Sequence, residues 1–299
     1  MRRIATTFAV VTLVTTAAMA GAAPALAAHR TTAPTPATYY LSLGDSLSQG
    51  VQPNKSGVSV ETNEGYPNQL FTALHMTNPT LKLVKIGCPG ETTATMINGG
   101  ICTYPAGSQL KQAVAFINKH HASIKLITID IGANDLNHCV TLTDPAKLVK
   151  CLEKAFKVVG TNLATILTTL TAAGGSNLPP TIGMNYYVPE LAGWLQGTPA
   201  AQALAKASVA LGQAFGTLLS GVYTNFGVKV ADVYDAFHTT IPFSRRVNTP
   251  AFGRIPRAVA YICSYTWECA APPVGPNEHA NILGYGVIAN AFLTTYLGT

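Results

Sequence analysis

Short apolar runs rich in β-branched residues alternate along this chain with longer segments whose apolar residues recur at helical spacing. The runs are continuously apolar, as expected of strands that are buried on both faces of a parallel sheet. This alternation predicts an α/β fold with a mostly parallel, five-stranded sheet and helices on both of its faces. The predicted strands are residues 39–43, 81–86, 124–131, 181–184 and 228–233. The predicted helices are residues 66–76, 109–119, 146–171, 200–223 and 282–297.

Three segments show neither pattern, and we expect them to lack regular secondary structure. They are residues 48–66, 190–198 and 237–281. Long irregular segments inside a compact domain are usually functional. We therefore expect the site residues to lie in these segments and at the ends of the predicted strands.

The N-terminus, residues 1–27, has the parts of a secretory signal peptide. Two arginines precede a short apolar segment, and residues 25–27 read Ala-Leu-Ala, a small-residue cleavage site. A membrane anchor is the alternative, but the apolar segment is short and interrupted by threonines. We expect cleavage near Ala27, a disordered leader rich in Thr, Pro and Ala over residues 28–38, and a single secreted domain over residues 39–299.

The charge balance argues against a nucleic-acid partner. Only 11% of the residues are charged, and the formal net charge of +6 is spread thinly. The tightest basic cluster, Arg245 and Arg246 with Arg254 and Arg257, lacks the density of a nucleic-acid footprint. A solvated surface is the better interpretation of these residues.

Six cysteines in an exported chain predict disulfide bonds. No two of them have the C-x₂-C spacing that a structural metal site favours, so we expect no metal. The pairing cannot be deduced from sequence alone. Proximity along the chain favours Cys88–Cys102, Cys139–Cys151 and Cys263–Cys269.

The first predicted strand is followed by the sequence Gly44-Asp45-Ser46-Leu47-Ser48. The glycine breaks the apolar run and delivers a hydroxyl to the carboxyl edge of a buried strand, where ligands bind in open α/β sheets. A nucleophilic serine is one interpretation. The other is an ordinary turn in which the Asp and Ser side chains bond to nearby backbone groups.

Three further blocks supply possible partners for such a serine. Gly90 follows the second strand and offers a backbone amide, and Asn134 follows the third strand and offers a side-chain amide. Either group could donate a hydrogen bond to a developing oxyanion. His279, in the loop before the last helix, is a plausible general base. Each block alone could equally be a turn or a helix cap.

The order of these blocks resembles that of the SGNH (GDSL) hydrolases, from about residue 39 to residue 297. The resemblance implies a three-layer, flavodoxin-like fold and hydrolysis of carboxylic acyl esters without metal or organic cofactor. It makes Ser46 the nucleophile and His279 the base, and it assigns the oxyanion hole to Ser46, Gly90 and Asn134. We expect a monomer that acts on a small-molecule or lipid ester.

One position departs from the family pattern. An aspartate usually stands two or three residues before the histidine and orients its imidazole, whereas this chain has Asn277 and Pro276 there. We therefore predict a Ser–His dyad, with the backbone carbonyl of Pro276 as the orienting acceptor. Asp232 and Asp235 are the rival candidates, although they are also well placed to close a turn. Because the base must be neutral, we expect activity to decline below about pH 6 to 7.

Apolar side chains on the predicted strand-end loops suit either an acyl chain or a small satellite core. They are Tyr186, Tyr187, Leu191, Trp194, Phe243, Tyr265 and Trp267. The favoured function is a secreted serine esterase or lipase. The alternatives are a polysaccharide O-deacetylase of the same fold, which open surface aromatics would favour, and a non-catalytic exported binding protein.

Overall fold

The computed structural model describes Ala9 and residues 36–142, 144–175 and 178–299. The predicted signal peptide, apart from Ala9, and residues 28–35 of the predicted leader lie outside the described residues. The described residues from Pro36 onward form one compact unit. In this part of the chain, no helix is both long and apolar enough to cross a membrane.

The central sheet contains all five predicted strands, each with ends that differ from the prediction by at most two residues. In chain order the strands are β1 (Thr38–Gly44), β2 (Gln52–Pro53), β3 (Ser59–Val60), β4 (Leu81–Lys85), β5 (Ile124–Asp130), β6 (Thr181–Met184), β7 (Lys229–Ala231), β8 (Arg246–Thr249) and β9 (Gly253–Pro256). The sheet has the order β4-β1-β5-β6-β7, and every neighbouring pair is parallel. The prediction of a mostly parallel sheet is confirmed.

Helices connect these strands and cover the sheet. In chain order they are α1 (Ser46–Gln49), α2 (Tyr66–His75), α3 (Thr93–Asn98), α4 (Gln109–His120), α5 (Asn137–Val140), α6 (Pro145–Ala173), α7 (Pro199–Asn225), α8 (Val233–Ala236), α9 (Arg257–Tyr265) and α10 (Ile282–Leu297). Short 3₁₀ helices occupy His121–Ser123, Ala133–Leu136 and Pro189–Gln196. Helix α2 packs against α10, while α6 packs against α4 and α7. With right-handed crossovers, this arrangement places the two groups on opposite faces of the sheet and gives three layers.

The strand order puts the first and third sheet strands of the chain, β1 and β5, side by side at the centre. The connections that leave these two strands run to opposite faces of the sheet. This is the switch point of the flavodoxin-like topology, and the crevice outside the carboxyl ends of the two strands is where ligands bind. Ser46 follows β1 and Asn134 follows β5, so both lie at this crevice.

The three segments predicted to lack regular structure contain some, and that prediction was wrong. Residues 48–66 include the hairpin of β2 and β3, and residues 190–198 overlap the 3₁₀ helix at Pro189–Gln196. Residues 237–281 include the β8–β9 hairpin and α9. Helix α9 has only nine residues and buries Ala258, Val259 and Ile262 along one stripe. A helix this short shows too few repeats of the helical spacing to be recognised from the sequence.

The structure contains the three disulfides that proximity favours, Cys88–Cys102, Cys139–Cys151 and Cys263–Cys269. Two of them, Cys88–Cys102 and Cys263–Cys269, lie near predicted site residues. Cys88 lies two residues before Gly90. Cys263 lies near the end of α9, and Trp267, between Cys263 and Cys269, contacts the backbone of His279.

Candidate active site

Ser46 occupies the first position of α1, directly after the carboxyl end of β1. The chain turns at Gly44, which has a φ of +142° and faces the end of β5. A Cβ atom at Gly44 would lie 2.2 Å from the backbone oxygen of Asp130. Only glycine permits this close approach. The tight turn leaves Ser46 half-buried at the crevice.

The backbone amides around Ser46 are distributed so that one remains available. The amide of Leu47 donates to Oδ1 of Asp45 at 3.0 Å, and the amide of Ser48 donates to Oδ2 of Asp130 at 3.2 Å. The amide of Ser46 stands at the first position of a helix, where no intrahelical acceptor exists. It has no acceptor among the described residues and can donate to a bound oxygen beside the Ser46 hydroxyl.

His279 lies across the crevice from Ser46, with its Nε2 atom 2.9 Å from the Ser46 Oγ atom. Its Nδ1 atom lies 2.8 Å from Oδ1 of Asn277. The backbone amide of His279 also donates to this Oδ1, at 3.1 Å. Because an amide N–H can only donate, Oδ1 must be an acceptor, and Nδ1 therefore carries the ring proton. Nε2 is left with the lone pair that can accept the proton of the Ser46 hydroxyl.

The acceptor that orients His279 is thus a side chain that the sequence reasoning missed. The contact of Nδ1 is with Oδ1 of Asn277, so the geometry does not match the prediction of the Pro276 backbone carbonyl. Asn277 stands where the family pattern has an aspartate, which was a usable signal. An amide cannot hold the charge of an aspartate, but its oxygen accepts the same hydrogen bond.

The rival candidate Asp232 has another role in the structure. Its Oδ1 atom accepts from the backbone amide of Asp235 at 3.1 Å and from Nδ2 of Asn185 at 2.8 Å. The first contact caps α8. This matches the interpretation that Asp232 and Asp235 close a turn after β7.

Burial sets the protonation state of His279. The ring is half-buried, and desolvation lowers its pKa from 6.5 to about 4. The acceptor on Nδ1 is neutral and supplies no charge that would favour the imidazolium. The imidazole of His279 is consequently neutral across the whole range near neutral pH.

Glu91, the residue after Gly90, connects Gly90 to Asn134. Gly90 has a φ of +80° and is exposed, with open space where a Cβ atom would stand. Nδ2 of Asn134 donates to the backbone oxygen of Glu91 at 2.9 Å. An amide group has two donor hydrogens, so this bond orients Asn134 and leaves its second N–H for a ligand. Nδ2 of Asn137 donates to the other end, Oδ1 of Asn134, at 3.1 Å.

Asp135, the residue after Asn134, holds the same loop from the other side. Asp135 accepts from the amide of Thr93 at 2.8 Å and from its hydroxyl at 2.6 Å. Burial raises the pKa of the Asp135 carboxyl, and the two bonds from Thr93 oppose this rise. The segment after β4, which carries Gly90, is thereby tied to the segment after β5.

Gln109 is a second residue that the sequence reasoning did not single out. It is fully buried at the start of α4. Its Oε1 accepts from the amide of Gly44 at 2.7 Å, and its Nε2 donates to the backbone oxygen of Gly44 at 2.9 Å. Nε2 also lies 3.1 Å from Oε2 of Glu91. One side chain therefore links the turn before Ser46 to the loop that carries Gly90.

A buried pair of carboxyl groups lies beneath the Ser46 turn. Asp45 and Asp130 are 2% and 0% exposed. The hydroxyl of Tyr186 donates to Asp45 at 3.0 Å, and that of Tyr66 donates to Asp130. Burial is the main cause that raises the pKa of both groups, to about 6 for Asp45 and well above its usual range for Asp130. The charge of Asp45 further raises the pKa of Asp130, whereas the hydrogen bond with Asp130 opposes the rise in the pKa of Asp45.

The loop aromatics singled out from the sequence belong mainly to the core. Tyr186, Tyr187 and Trp194 are between 8% and 9% exposed, and Leu191 is almost fully buried. Tyr187 stacks on Phe237 with 4.4 Å between ring centroids. Tyr186, Tyr187 and Leu191 belong to the main core, and Trp194 belongs to a smaller cluster, so the core alternative describes these four residues. Phe243 and Tyr265 are half-buried and pack against the main core, and Trp267 is also half-buried.

One group of potential metal ligands occurs in the described part of the chain. Side-chain atoms of His138, Cys139 and Cys151 lie within 4.8 Å of one another. The two cysteines are joined in a disulfide, so neither offers the thiolate that a metal would need. This group does not fit a metal site.

Comparison with solved structures finds proteins of the same fold. A phospholipase A1 from Streptomyces albidoflavus is 16% identical, with a TM-score of 0.54, over 87% of this chain and 99% of its own. An extracellular lipase from Streptomyces rimosus is 14% identical, with a TM-score of 0.54, over 87% and 100%. An acetylxylan esterase from Geobacillus stearothermophilus is 14% identical, with a TM-score of 0.52, over 87% and 94%. At these identities the likeness concerns the fold.

The sequence itself matches a family profile, although no curated protein sequence matches it. The profile is that of the GDSL-like Lipase/Acylhydrolase family, and it covers residues 42–246. The match spans more than half of the chain and includes Ser46, Gly90 and Asn134. The chain therefore belongs to the GDSL-like lipase/acylhydrolase family and is a carboxylic ester hydrolase.

Proposed function

We propose that this protein is a secreted serine esterase or lipase in which Ser46 is the nucleophile and His279 the general base. The observation that carries the proposal is the 2.9 Å contact between Ser46 Oγ and His279 Nε2, with Nδ1 held on Asn277. A nucleophile, a base within hydrogen-bond reach and a third group that orients the base form the arrangement needed for covalent catalysis.

The proposed reaction begins with attack of Ser46 Oγ on the ester carbonyl carbon, while Nε2 of His279 accepts the hydroxyl proton. The carbonyl oxygen becomes an oxyanion, and the amides of Ser46 and Gly90 and the side chain of Asn134 donate hydrogen bonds to it. Collapse of this intermediate breaks the bond to the alcohol, which leaves with the proton from Nε2. Water, deprotonated by His279, then attacks the acyl-enzyme. The bond to Ser46 Oγ breaks, Oγ takes the proton from Nε2, and the carboxylic acid is released.

Asn277 gives the proposed site a neutral third member in place of the predicted dyad. Its oxygen fixes the ring orientation and the Nδ1–H tautomer, which is the geometric part of the role that aspartate has in other triads. It adds no charge to stabilise the imidazolium that forms during attack. A Cys–His–Asn arrangement in papain-like proteases uses the same neutral partner.

The substrate class follows from the site and the relatives only in broad terms. The structural relatives include a phospholipase A1 and an acetylxylan esterase, which differ in both acyl group and alcohol. A polysaccharide deacetylase would be favoured by open aromatic side chains, but Tyr186, Tyr187 and Trp194 are buried. We therefore place simple acyl esters and lipid esters ahead of acetylated polysaccharides.

We also propose export of a single monomeric domain, without a nucleic-acid partner, after cleavage near Ala27. Three disulfides are consistent with an oxidising compartment. The thin distribution of charge gives no basic surface of the kind that binds nucleic acid.

The test is hydrolysis of p-nitrophenyl esters from acetate to palmitate by the purified mature chain. Ser46→Ala should reduce kcat by roughly 10⁴-fold or more, as removal of a nucleophile does in serine proteases. Ser48→Ala is the matched control, because its hydroxyl donates to the Asp45 carbonyl at 2.7 Å rather than to His279. It should stay within about tenfold of the parent, the loss expected for one structural hydrogen bond.

Two results would favour the non-catalytic binding protein instead. One is no hydrolysis of any ester in the series. The other is no labelling of Ser46 by a serine-directed phosphonate, measured by mass spectrometry of the intact chain. An esterase should be labelled at Ser46 in the parent and not in Ser46→Ala.

A further inference from the structure

We propose that Ser59, on the β2–β3 hairpin, is a positioning residue that fixes the side-chain amide of Asn277 and through it the base His279. The inference rests on the proposed function of His279. Nδ2 of Asn277 donates to Oγ of Ser59 at 3.1 Å, across 218 residues of sequence. The other end of the same amide accepts from His279.

An amide needs this kind of support more than a carboxylate does. The two oxygens of an aspartate are equivalent acceptors, so either can face the imidazole. An asparagine has one oxygen and one NH₂ group. Rotation of the Asn277 amide by half a turn would aim its NH₂ group at the backbone amide and at Nδ1–H of His279. Donors would then face donors, and the ring tautomer that leaves a lone pair on Nε2 would no longer be favoured.

Ser59 stands on the side where the amide must place its NH₂ group. Its hydroxyl oxygen accepts from Nδ2 while Oδ1 faces His279. The backbone amide of His279 favours this orientation, because it donates to Oδ1 at 3.1 Å. Asn277 is therefore held at both ends. The two N–H groups of His279 can only donate and select the orientation with Oδ1 toward the ring, while Ser59, whose hydroxyl can accept or donate, fixes the position of the NH₂ end.

The hairpin that carries Ser59 is attached to the segment that carries His279 at two other points. Gln52, in β2, is 5% exposed, and its Oε1 accepts from Nε1 of Trp267 at 3.2 Å. Gly57, at the hairpin turn, lies so close to Pro273 that a Cβ atom would stand 2.0 Å from the Pro273 backbone oxygen. These contacts fix the distance between Ser59 and Asn277, although Ser59 itself is at the surface.

The turn of the hairpin is also closed within itself. Oδ1 of Asn54 accepts from the amides of Ser56 and Val58 at 2.9 and 3.1 Å. The amide of Asn54 donates to the backbone oxygen of Val58 at 2.8 Å. A rigid turn gives Ser59 a defined position, which a side chain that orients another residue requires.

The experiment compares Ser59→Ala with Ser59→Thr in two backgrounds, the parent chain and Asn277→Asp. In the parent, Ser59→Ala should lower kcat for a p-nitrophenyl ester about three- to tenfold with little change in KM, the effect of one hydrogen bond. Ser59→Thr keeps the hydroxyl and should restore most of the loss. In Asn277→Asp, Ser59→Ala should cost less than about twofold, because the charge-assisted hydrogen bond from Nδ1–H to a carboxylate is stronger and needs less support from Ser59.

Ser56→Ala is the control on the same hairpin, since its hydroxyl has no bonding partner in the described part of the chain and only its amide is used. Equal losses for Ser59→Ala in the two backgrounds would overturn the proposal, and so would full activity of Ser59→Ala in the parent. Thermal unfolding of each variant separates these outcomes from loss of folded protein.

A second measurement does not depend on ester hydrolysis. The Nδ1 proton of His279, assigned by NMR against His279→Gln, should exchange with water about three- to tenfold faster in Ser59→Ala than in the parent. Unchanged exchange would overturn the role of Ser59. Absence of hydrolysis by the parent chain would count against the proposed function alone, so the two failures can be told apart.

Discussion

Oδ1 of Asn277 lies 2.8 Å from Nδ1 of His279 and also accepts the backbone amide of the same histidine at 3.1 Å. One neutral oxygen thus determines both the position and the tautomer of the imidazole. An aspartate would do the same and add a negative charge. The difference between geometry and charge leads to two predictions that a pH profile can separate.

The first prediction concerns the acid limb of the pH profile. Burial disfavours the charged imidazolium and lowers the pKa of His279 to about 4. The neutral base is present above that value and is lost as the pH falls through it. We expect kcat/KM to stay level from about pH 8 to 5 and to fall near pH 4, below the range expected from the sequence. A decline centred at pH 6 to 7 in protein shown to be folded by circular dichroism would contradict this.

The second prediction concerns exchange of the neutral partner for a charged one. In Asn277→Asp the carboxylate favours the imidazolium, so the pKa of His279 should rise and the acid limb should move to higher pH. At pH 8 this variant should keep kcat within about tenfold of the parent, because the tautomer is unchanged. Asn277→Ala removes the acceptor, and its kcat should fall by roughly 10²- to 10⁴-fold. An acid limb at the same pH in Asn277→Asp and the parent would contradict the assignment.

The third prediction tests the oxyanion site. Asn134→Ala removes a donor that strengthens its bond only as charge develops, so kcat should fall by roughly 10²- to 10³-fold with KM little changed. Asn137→Ala removes an exposed bond to Oδ1 of Asn134 and is the matched control. Its kcat should fall by less than about tenfold. Equal losses in the two variants would argue for a general structural effect.

The sequence was sufficient for the sheet and for the residues that stand at fixed places along it. Strand runs are local patterns, and Ser46 and Asn134 are placed by the ends of β1 and β5 rather than by long-range contacts. His279 was readable from its position before the last helix. Ser46 and Asn134 lie where the backbone topology alone brings strand ends together.

The supporting residues could not be read in the same way, because their roles depend on contacts between distant segments. Asn277 contacts His279 through its oxygen and Ser59, 218 residues earlier, through its NH₂ group. Gln109 looks like any polar residue at a helix start. Asp130 looks like the end of an apolar strand, and only the fold reveals that it contacts the Ser46 turn.

The fourth prediction follows from the burial of Asp130. Its carboxyl accepts from the amide of Ser48 and from the hydroxyl of Tyr66. Asp130→Leu would leave these donors without an acceptor, so the free energy of unfolding should fall by roughly 2 to 5 kcal/mol. Asp130→Asn keeps an acceptor oxygen and should retain most of the activity.

The pH dependence of stability distinguishes a protonated Asp130 from an ionised one. Because its pKa is raised in the folded protein, the carboxyl stabilises the fold fully at low pH, and this stability is lost as the pH rises from about 4 toward the folded pKa. The side chain in Asp130→Asn cannot titrate. The free energy of unfolding of this variant, minus that of the parent, should therefore increase from pH 5 to pH 8 in urea titrations. A constant difference between Asp130→Asn and the parent would contradict the prediction.

The last prediction separates local support of the site from global stability. The backbone of Trp267, inside the Cys263–Cys269 loop, donates to the His279 carbonyl at 3.0 Å. Removing this disulfide by paired Cys→Ser substitutions should cost roughly 2 kcal/mol of stability, against roughly 3 kcal/mol for the longer Cys139–Cys151 loop. Activity of the folded protein should fall in the opposite order, with the greater loss at Cys263–Cys269, because that loop holds the segment of the base. Urea titration and initial rates at a temperature where both variants are folded measure the two quantities, and matching orders would argue for general stabilisation only.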